Sequence, residues 1–288
     1  MRHVFMLNIY GNYDCVEKYK LIEETCEKRG INYVVESNGR NTTEEILSKY
    51  SDGGNIIYAV GGDGMINKVV NGIVGTNNYF SYIPVGTGND FDRTINEIFQ
   101  SSCIYPIDLV KINEKYFINI ACFGIDAKIA NDDRFIHNKF IPKSMRYGTS
   151  ILANFLTYKP EALEINIDGK TISNKYTTVV VANGRYYGGG YNISPTSKLN
   201  DEKIELYLVA NTNKIKMAQL ILSMKNGKHL DYPEIQAASC DKLTIKSKNA
   251  IKANIDGEIL ESDIFNIEVS NEKIKLNNNK LLRKALSR

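Results

Sequence analysis

The chain has 288 residues, 43% hydrophobic and 24% charged, the composition of a folded globular protein and not of a disordered one. Its 36 basic and 33 acidic residues leave a formal charge of +3, too little to argue for a nucleic-acid partner, although weak attraction to an anionic membrane stays open. No apolar run approaches the ~20 residues that span a bilayer and the N-terminus has no signal-peptide core, so the expected location is the cytoplasm.

In chain order, residues 4–9 predict a first strand, 16–29 a helix with Leu21, Ile22 and Cys26 on its apolar face, and 32–35 a second strand. Thr42 or Thr43 can cap a short helix over 44–50. The β-branched run Ile56, Ile57, Ala59 and Val60 then predicts a buried central strand of a parallel sheet. It empties into Gly61, Gly62 and Gly64, where the missing Cβ atoms permit positive φ and let an anion lie against backbone N–H groups. Ile66, Val69, Val70 and Ile73 recur at helical spacing, so the turn opens a helix whose N-terminus favours phosphate. Asp63 would repel a bare phosphate, which suggests a Mg2+ bridge or a base aimed at a hydroxyl. Neither a P-loop nor a dinucleotide glycine pattern stands here.

Strand 79–85 empties into a second glycine turn, Gly86, Thr87, Gly88, Asn89 and Asp90, ahead of a short helix. Strands and helices alternating in this way predict a doubly wound parallel sheet with ligand contacts at the carboxyl ends of its strands. Asn89 and Asp90 read equally well as turn and helix-capping residues, and Thr87 as a loop hydroxyl.

After Pro106 the pattern changes to strands and turns, which divides the chain into an α/β domain over 1–107, rejoined by a terminal helix at 278–288, and a second domain over 108–277. Residues 107–112 and 115–122 read as a hairpin across Asn113 and Glu114, Gly124 with Asp126 closes a turn, and 142–158 and 215–226 are helices. Strands expected at 163–167, 177–182, 204–209, 242–246, 251–255 and 265–269 make a β-sandwich. Three of its turns are unusually polar or glycine-rich. Gly188, Gly189 and Gly190 imply either a close backbone approach or a bulged strand pair, Asn200 and Asp201 either a cation site or a solvated turn, and Asp256 with Glu258 either a type I′ hairpin or two carboxylates at a site. The helix at 276–286 either packs back on the first domain or lies on a membrane. Cys15, Cys26, Cys103, Cys122 and Cys240 include no C-x-x-C pair and read as reduced thiols, not as a zinc site.

Together VGGDGMINKVVNGI, IPVGTGNDFDR, NIACFGIDA, ANGRYYGGGYNISP and IDGE, in this order, resemble the diacylglycerol kinase catalytic family, along nearly the whole chain. The resemblance implies an α/β nucleotide-binding domain, a β-sandwich lipid-substrate domain and an active site in the cleft between them. It implies an ATP- and Mg2+-dependent transfer of phosphate to the hydroxyl of diacylglycerol or a similar membrane lipid, giving phosphatidic acid. Nucleotide binding would fall to Gly61, Gly62, Asp63 and Gly64 with Met65 and Asn67, to the turn Gly86, Thr87, Gly88, Asn89 and Asp90, and to Thr42. Asp63 and Asp90 would hold the catalytic Mg2+ and Asp201 a structural one. Asp63, Asp256 and Glu258 would be catalytic, with Asp256 as general base.

The chain departs from the family where N-P-x-S-G is usual, having Asn8, Ile9, Tyr10, Gly11 and Asn12. Met65 stands for threonine, Lys68 for glutamate and Glu202 for glycine, which leaves open a non-catalytic lipid- or nucleotide-binding member. A soluble-substrate kinase of the NAD kinase type is the other alternative. Peripheral membrane contact is expected through residues such as Lys280, Arg283 and Lys284, and a homodimer through sandwich edge strands stays open.

Overall fold

The computed structural model describes residues 1–9, 14–39, 41–85, 88–125, 158, 160–210 and 212–287. The chain forms two compact units, Met1–Leu109 with Asn271–Arg288, and Val110–Ser270. Expectations for Gly11, Asn12, Gly86, Thr87, Asp126 and nearly all of the helix at 142–158 lie outside the described residues.

In the first unit, β1 (Arg2–Leu7) lies between β2 (Tyr33–Ser37) and β3 (Asn55–Gly61), and β4 (Tyr79–Pro84) follows β3, all parallel. The last residues of β15 (Glu258–Asn277) extend this sheet, Lys275 and Leu276 pairing parallel with Tyr79 and Phe80. Ile57, Ala59 and Val60 are fully buried, as an apolar central strand covered on both faces requires. Helix α1 (Cys15–Lys28) starts at Asp14, whose carboxylate accepts the N–H groups of Val16 and Glu17. Helix α2 (Thr43–Leu47) starts at a capping box of Thr42 and Glu45, so the Thr42 hydroxyl is an N-cap. Helices α3 (Asp63–Ile73) and α4 (Asp90–Ile98) follow the two glycine turns.

The terminal helix, α6 (Lys280–Leu286), packs back as one of its two expectations had it, burying Leu282 and Leu286 in one cluster with Phe5, Ile22, Cys26 and Tyr58. Arg283 is therefore no membrane contact. It is 7% exposed, stacks 4.6 Å over the Tyr82 ring, and donates to the Tyr82 hydroxyl, Asn278 Oδ1 and Asn96 Oδ1 at 2.6, 2.9 and 2.8 Å.

The second unit is antiparallel. Its strands β7 (Ile120–Gly124), β9 (Lys170–Ala182) and β12 (Ile204–Ala210) bury alternate residues in two different clusters. Phe123, Val179, Val181, Leu206 and Leu208 enter one, which Ile245, Phe265 and Ile267 complete, while Cys122, Val180, Ala182, Tyr207 and Val209 enter the other with Met217, Leu220 and Ile221 of helix α5 (Lys214–Met224). Both faces being covered explains the unbroken apolar runs of these strands. Between β9 and β14 (Lys242–Ile255) lie both β7 and β8 (Glu161–Ile167), β8 pairing with the first half of each. Strands expected separately at 242–246 and 251–255 are thus one strand with an irregularity between Lys246 and Ile251, and β13 (Ile235–Cys240) was not foreseen.

The hairpin of β5 (Ile104–Ile112) and β6 (Lys115–Phe117) forms as expected, but its second strand stops early. Ile118 and Asn119 interrupt it before β7, because their N–H groups are taken by a side chain distant in sequence.

Candidate active site

The strand order places β2 and β3 on opposite sides of β1, so the chain reverses direction across the sheet between β1 and β3. Ligands of open α/β sheets bind at the carboxyl ends of the strands at such a point. The first glycine turn stands there, at the end of β3.

Its glycines serve different ends from those expected. Gly62 has φ −91° and Gly64 is helical, so neither exploits a left-handed backbone. Gly61 is demanded by contact, since a Cβ would lie 2.9 Å from that of Met65. The buried Met65 thus packs under the turn. A Cβ on Gly64 would meet nothing within 4 Å, and one on Gly62 only the Val85 carbonyl oxygen at 4.0 Å. The fold itself does not require glycine at these two positions. They leave the N-terminus of α3, where the dipole and unpaired N–H groups favour an anion, clear of side chains.

Asp63 ties this turn to the second one. Its Oδ2 accepts the N–H of Asp90 at 3.1 Å and its Oδ1 that of Phe91 at 3.0 Å. Asn89, the residue that precedes α4, has φ 48° and makes no side-chain capping bond, so Asp63 caps α4 from another element. Burial raises the Asp63 pKa above the usual 3.8, opposed by the N–H groups of Phe91 and Asp90 and by Arg93. Asp90 is 5% exposed and receives Arg93 Nη1 at 3.1 Å, and Arg93 also donates to the Gly88 carbonyl. Arg93 was not singled out from sequence, where it is one more exposed helical cation. Asn67 is buried on α3 and its Oδ1 accepts from Asn71 Nδ2 at 3.1 Å.

The donor set around Asp63 and Asp90 fits one mode of Mg2+ binding. Among the described residues no group of three or more His, Cys, Asp or Glu side chains could enclose a metal. Nucleotide sites need no such cage, because Mg2+ there takes one or two carboxylates and fills its octahedron with phosphate and water. The fit at Asp201 is poorer. It stands on an exposed turn, its Oδ1 accepting the Lys203 N–H at 3.3 Å, with Glu202 at φ 58° beside it.

In the second unit, Asp256 and Gly257 have φ 50° and 95°, the left-handed pair of a type I′ turn, between β14 and β15. The Asp256 carboxylate is buried. Its Oδ2 accepts the Ile118 N–H at 2.8 Å, its Oδ1 that of Ile120 at 2.8 Å, and both accept from Asn119 N at 3.2 and 3.3 Å. Three backbone donors on one buried carboxylate make Asp256 the anchor of the stretch it accepts from. Glu258, two residues on, is half-buried with Lys115 Nζ 3.5 Å away.

Around this anchor the glycine-rich loop is assembled. Asn119 donates to the Tyr186 carbonyl at 2.8 Å, and its own carbonyl accepts from Asn183 N and Gly184 N at 2.9 and 2.8 Å. Asn254 Nδ2 donates to the Tyr187 hydroxyl at 2.8 Å. Gly184 is required here, since a Cβ would stand 1.8 Å from Asn119 Oδ1. Gly188, Gly189 and Gly190 all take positive φ, at 67°, 85° and 110°, so the run is a left-handed turn between the two-residue strands β10 (Tyr186–Tyr187) and β11 (Tyr191–Asn192). The roles of Asn119, Asn183 and Asn254 were missed. The available signal was Asn119, an asparagine inside the otherwise apolar run Phe117–Cys122.

Two family models match the chain. Residues 3–111 fit the diacylglycerol kinase catalytic domain, and residues 119–277 the YegS C-terminal NAD kinase beta sandwich-like domain. A diacylglycerol kinase of Bacillus subtilis (strain 168) is 28% identical over 222 residues, 70% of this chain and 71% of its own. One from Staphylococcus haemolyticus (strain JCSC1435) is 26% identical over 241 residues, covering 78% and 71%. A crystal structure of a diacylglycerol kinase from Bacillus anthracis str. Sterne superposes with a TM-score of 0.70 at 18% identity, over 97% of each chain. Yeast NADH kinase complexed with NADH gives 0.53 at 11% identity, over 98% of this chain and 86% of that one. At such identities the two structures speak for the fold alone, an α/β domain followed by a β-sandwich-like one.

Proposed function

Because the chain belongs to the diacylglycerol kinase catalytic family, we propose that it transfers the γ-phosphoryl group of ATP to the hydroxyl of diacylglycerol or a similar lipid, giving phosphatidic acid and ADP. The observation that carries this reading is Asp63, one carboxylate that joins the two glycine turns at the switch point of the sheet. On this reading the phosphates lie against the N–H groups at the start of α3, where Gly62 and Gly64 present no side chain. Asp63 and Asp90 would hold Mg2+, which when bound offsets phosphate charge. The lipid oxygen attacks the γ-phosphorus, the bond to the β–γ bridging oxygen breaks, and ADP leaves with that electron pair. Glu258, not the anchored Asp256, is the carboxylate we assign to accept the hydroxyl proton.

Transfer of label from γ-labelled ATP to a total lipid extract tests the proposal. A labelled lipid made by the wild type and lost in Asp63→Ala and Glu258→Gln is the expected result, and its migration identifies the substrate class. A second reading, a lipid- or nucleotide-binding protein without turnover, draws support from the buried Met65 and from the two N–H groups already held by Asp63. No label from a folded protein that retains bound lipid would favour it. Suppression of transfer by added NADH would point instead to a soluble substrate.

A further inference from the structure

Among the described residues, Ile215 and Leu222 are large aliphatic side chains left 73% and 69% exposed on a single helix, α5. Seven positions at 100° each bring them within about 20° of one line along the helix, about 10 Å apart. Gln219 lies about 40–60° to one side of that line and is exposed as well. The opposite face, Met217, Leu220, Ile221 and Met224, is buried in the second unit's core, so α5 has an outer apolar stripe that this core does not use.

Lysines border that stripe. Lys216 and Lys225, both exposed, fall on opposite flanks of it by the same helical angles, and the exposed Lys228 follows the helix end. Lys216 pairs with Glu234, and Lys225 Nζ stands 5.8 Å from the Tyr191 ring centre. The helix itself contains no acidic residue. Aliphatic side chains pointing straight out, lysines on both sides, of which Lys216 shares its charge with Glu234, and no carboxylate on the helix itself match the interface of an anionic bilayer, where apolar groups sink below headgroups that the ammonium groups meet.

We propose that the outer face of α5, through Ile215 and Leu222 with Lys216, Lys225 and Lys228, is the surface by which this protein docks on an anionic membrane. The contact expected on the terminal helix is weaker on the same criteria, because Arg283 is buried and Leu281 is the one large aliphatic exposed there. The proposal rests on the lipid-kinase reading only for the reason a bilayer is met, and its test is separate.

The full-length protein is pelleted with phosphatidylcholine vesicles with and without phosphatidylglycerol, beside Ile215→Asp/Leu222→Asp and the control Leu281→Asp. Thermal melting and phosphorylation of a water-soluble short-chain diacylglycerol are followed in parallel. The wild type and the control are expected to bind the anionic vesicles, increasingly weakly as salt rises, while the double variant binds at least about tenfold more weakly with melting unchanged. Binding of the double variant equal to wild type, no wild-type binding to anionic vesicles, or a loss shared by Leu281→Asp overturns the proposal. So does a wild-type dimer that the double variant abolishes, since the face would then belong to a second copy. Vesicle binding that depends on Ile215 and Leu222, without phosphorylation of any diacylglycerol, leaves the docking surface standing and removes the substrate reading.

Discussion

Asp63 receives two backbone N–H groups from the start of α4, whereas Asp256 receives three from the interrupted stretch between β6 and β7 and is buried. Each is a carboxylate that holds a distant segment by its main chain. The difference lies in what remains beside each. Asp63 stands between glycines beside which space is open, so a ligand can still approach the turn. Asp256 is closed in by Ile118, Asn119 and Ile120, and its motif partner Glu258 is the more accessible acid. A motif carboxylate can therefore be the strut of a site without being its reagent.

The largest effect is expected from Asp256→Ala, which strands three buried N–H donors at about 1–3 kcal/mol each and should lower stability by about 3 kcal/mol or more. Denaturant titration measures it, and a loss below about 1 kcal/mol would show that the anchor is not structural. Asp63→Asn should lower stability less, by about 1–2 kcal/mol, since one acceptor oxygen survives. Its pH profile sharpens the contrast. Burial raises the folded pKa of Asp63, so the native state holds its proton more tightly, and the contribution of Asp63 to stability falls as pH climbs from 3.8 through the folded value. That decline should be shallower in Asp63→Asn, and identical profiles would count against the assigned cause.

Glu258→Gln should change stability by less than about 1 kcal/mol, because its ion pair with Lys115 is partly exposed. Turnover should nevertheless fall by about 10²–10⁴-fold, and a fall matched by melting would return the catalytic role to a structural one. The smallest effect on the fold is expected from Gly64→Ala, which fills open space in a helix and should stabilise by up to about 1 kcal/mol. The same change should weaken ATP binding in a calorimetric titration. Unaltered affinity would detach the first glycine turn from the phosphates.

Local patterns were legible wherever neighbours in sequence are neighbours in space. The apolar run into Gly61 and the helical spacing after it predicted β3 and α3, Thr42 was one of two candidate caps and proved to be the cap, and a type I′ turn was one of two readings of Asp256 and Gly257. Arg283 was misread because on its own short helix it is one of three cations, while Tyr82 and Asn96, which hold it from the inner side, come from segments 201 and 187 residues away. The long strands β9 and β15 were read short, as 177–182 and 265–269, because their exposed parts, such as residues 171–175, carry no hydrophobic signal and are held by backbone pairing with other strands.

By itself the sequence determined the strand–helix alternation of the first unit, the glycine turn after β3 and the family, because these depend on side-chain periodicity and on backbone freedom at single residues. Only the tertiary structure decided that Asp63 caps α4, that Asp256 is an anchor and that Ile215 and Leu222 face outward. The first two are hydrogen bonds between residues 27 or more positions apart, and the third depends on which face of a mostly apolar helix the core has room to bury.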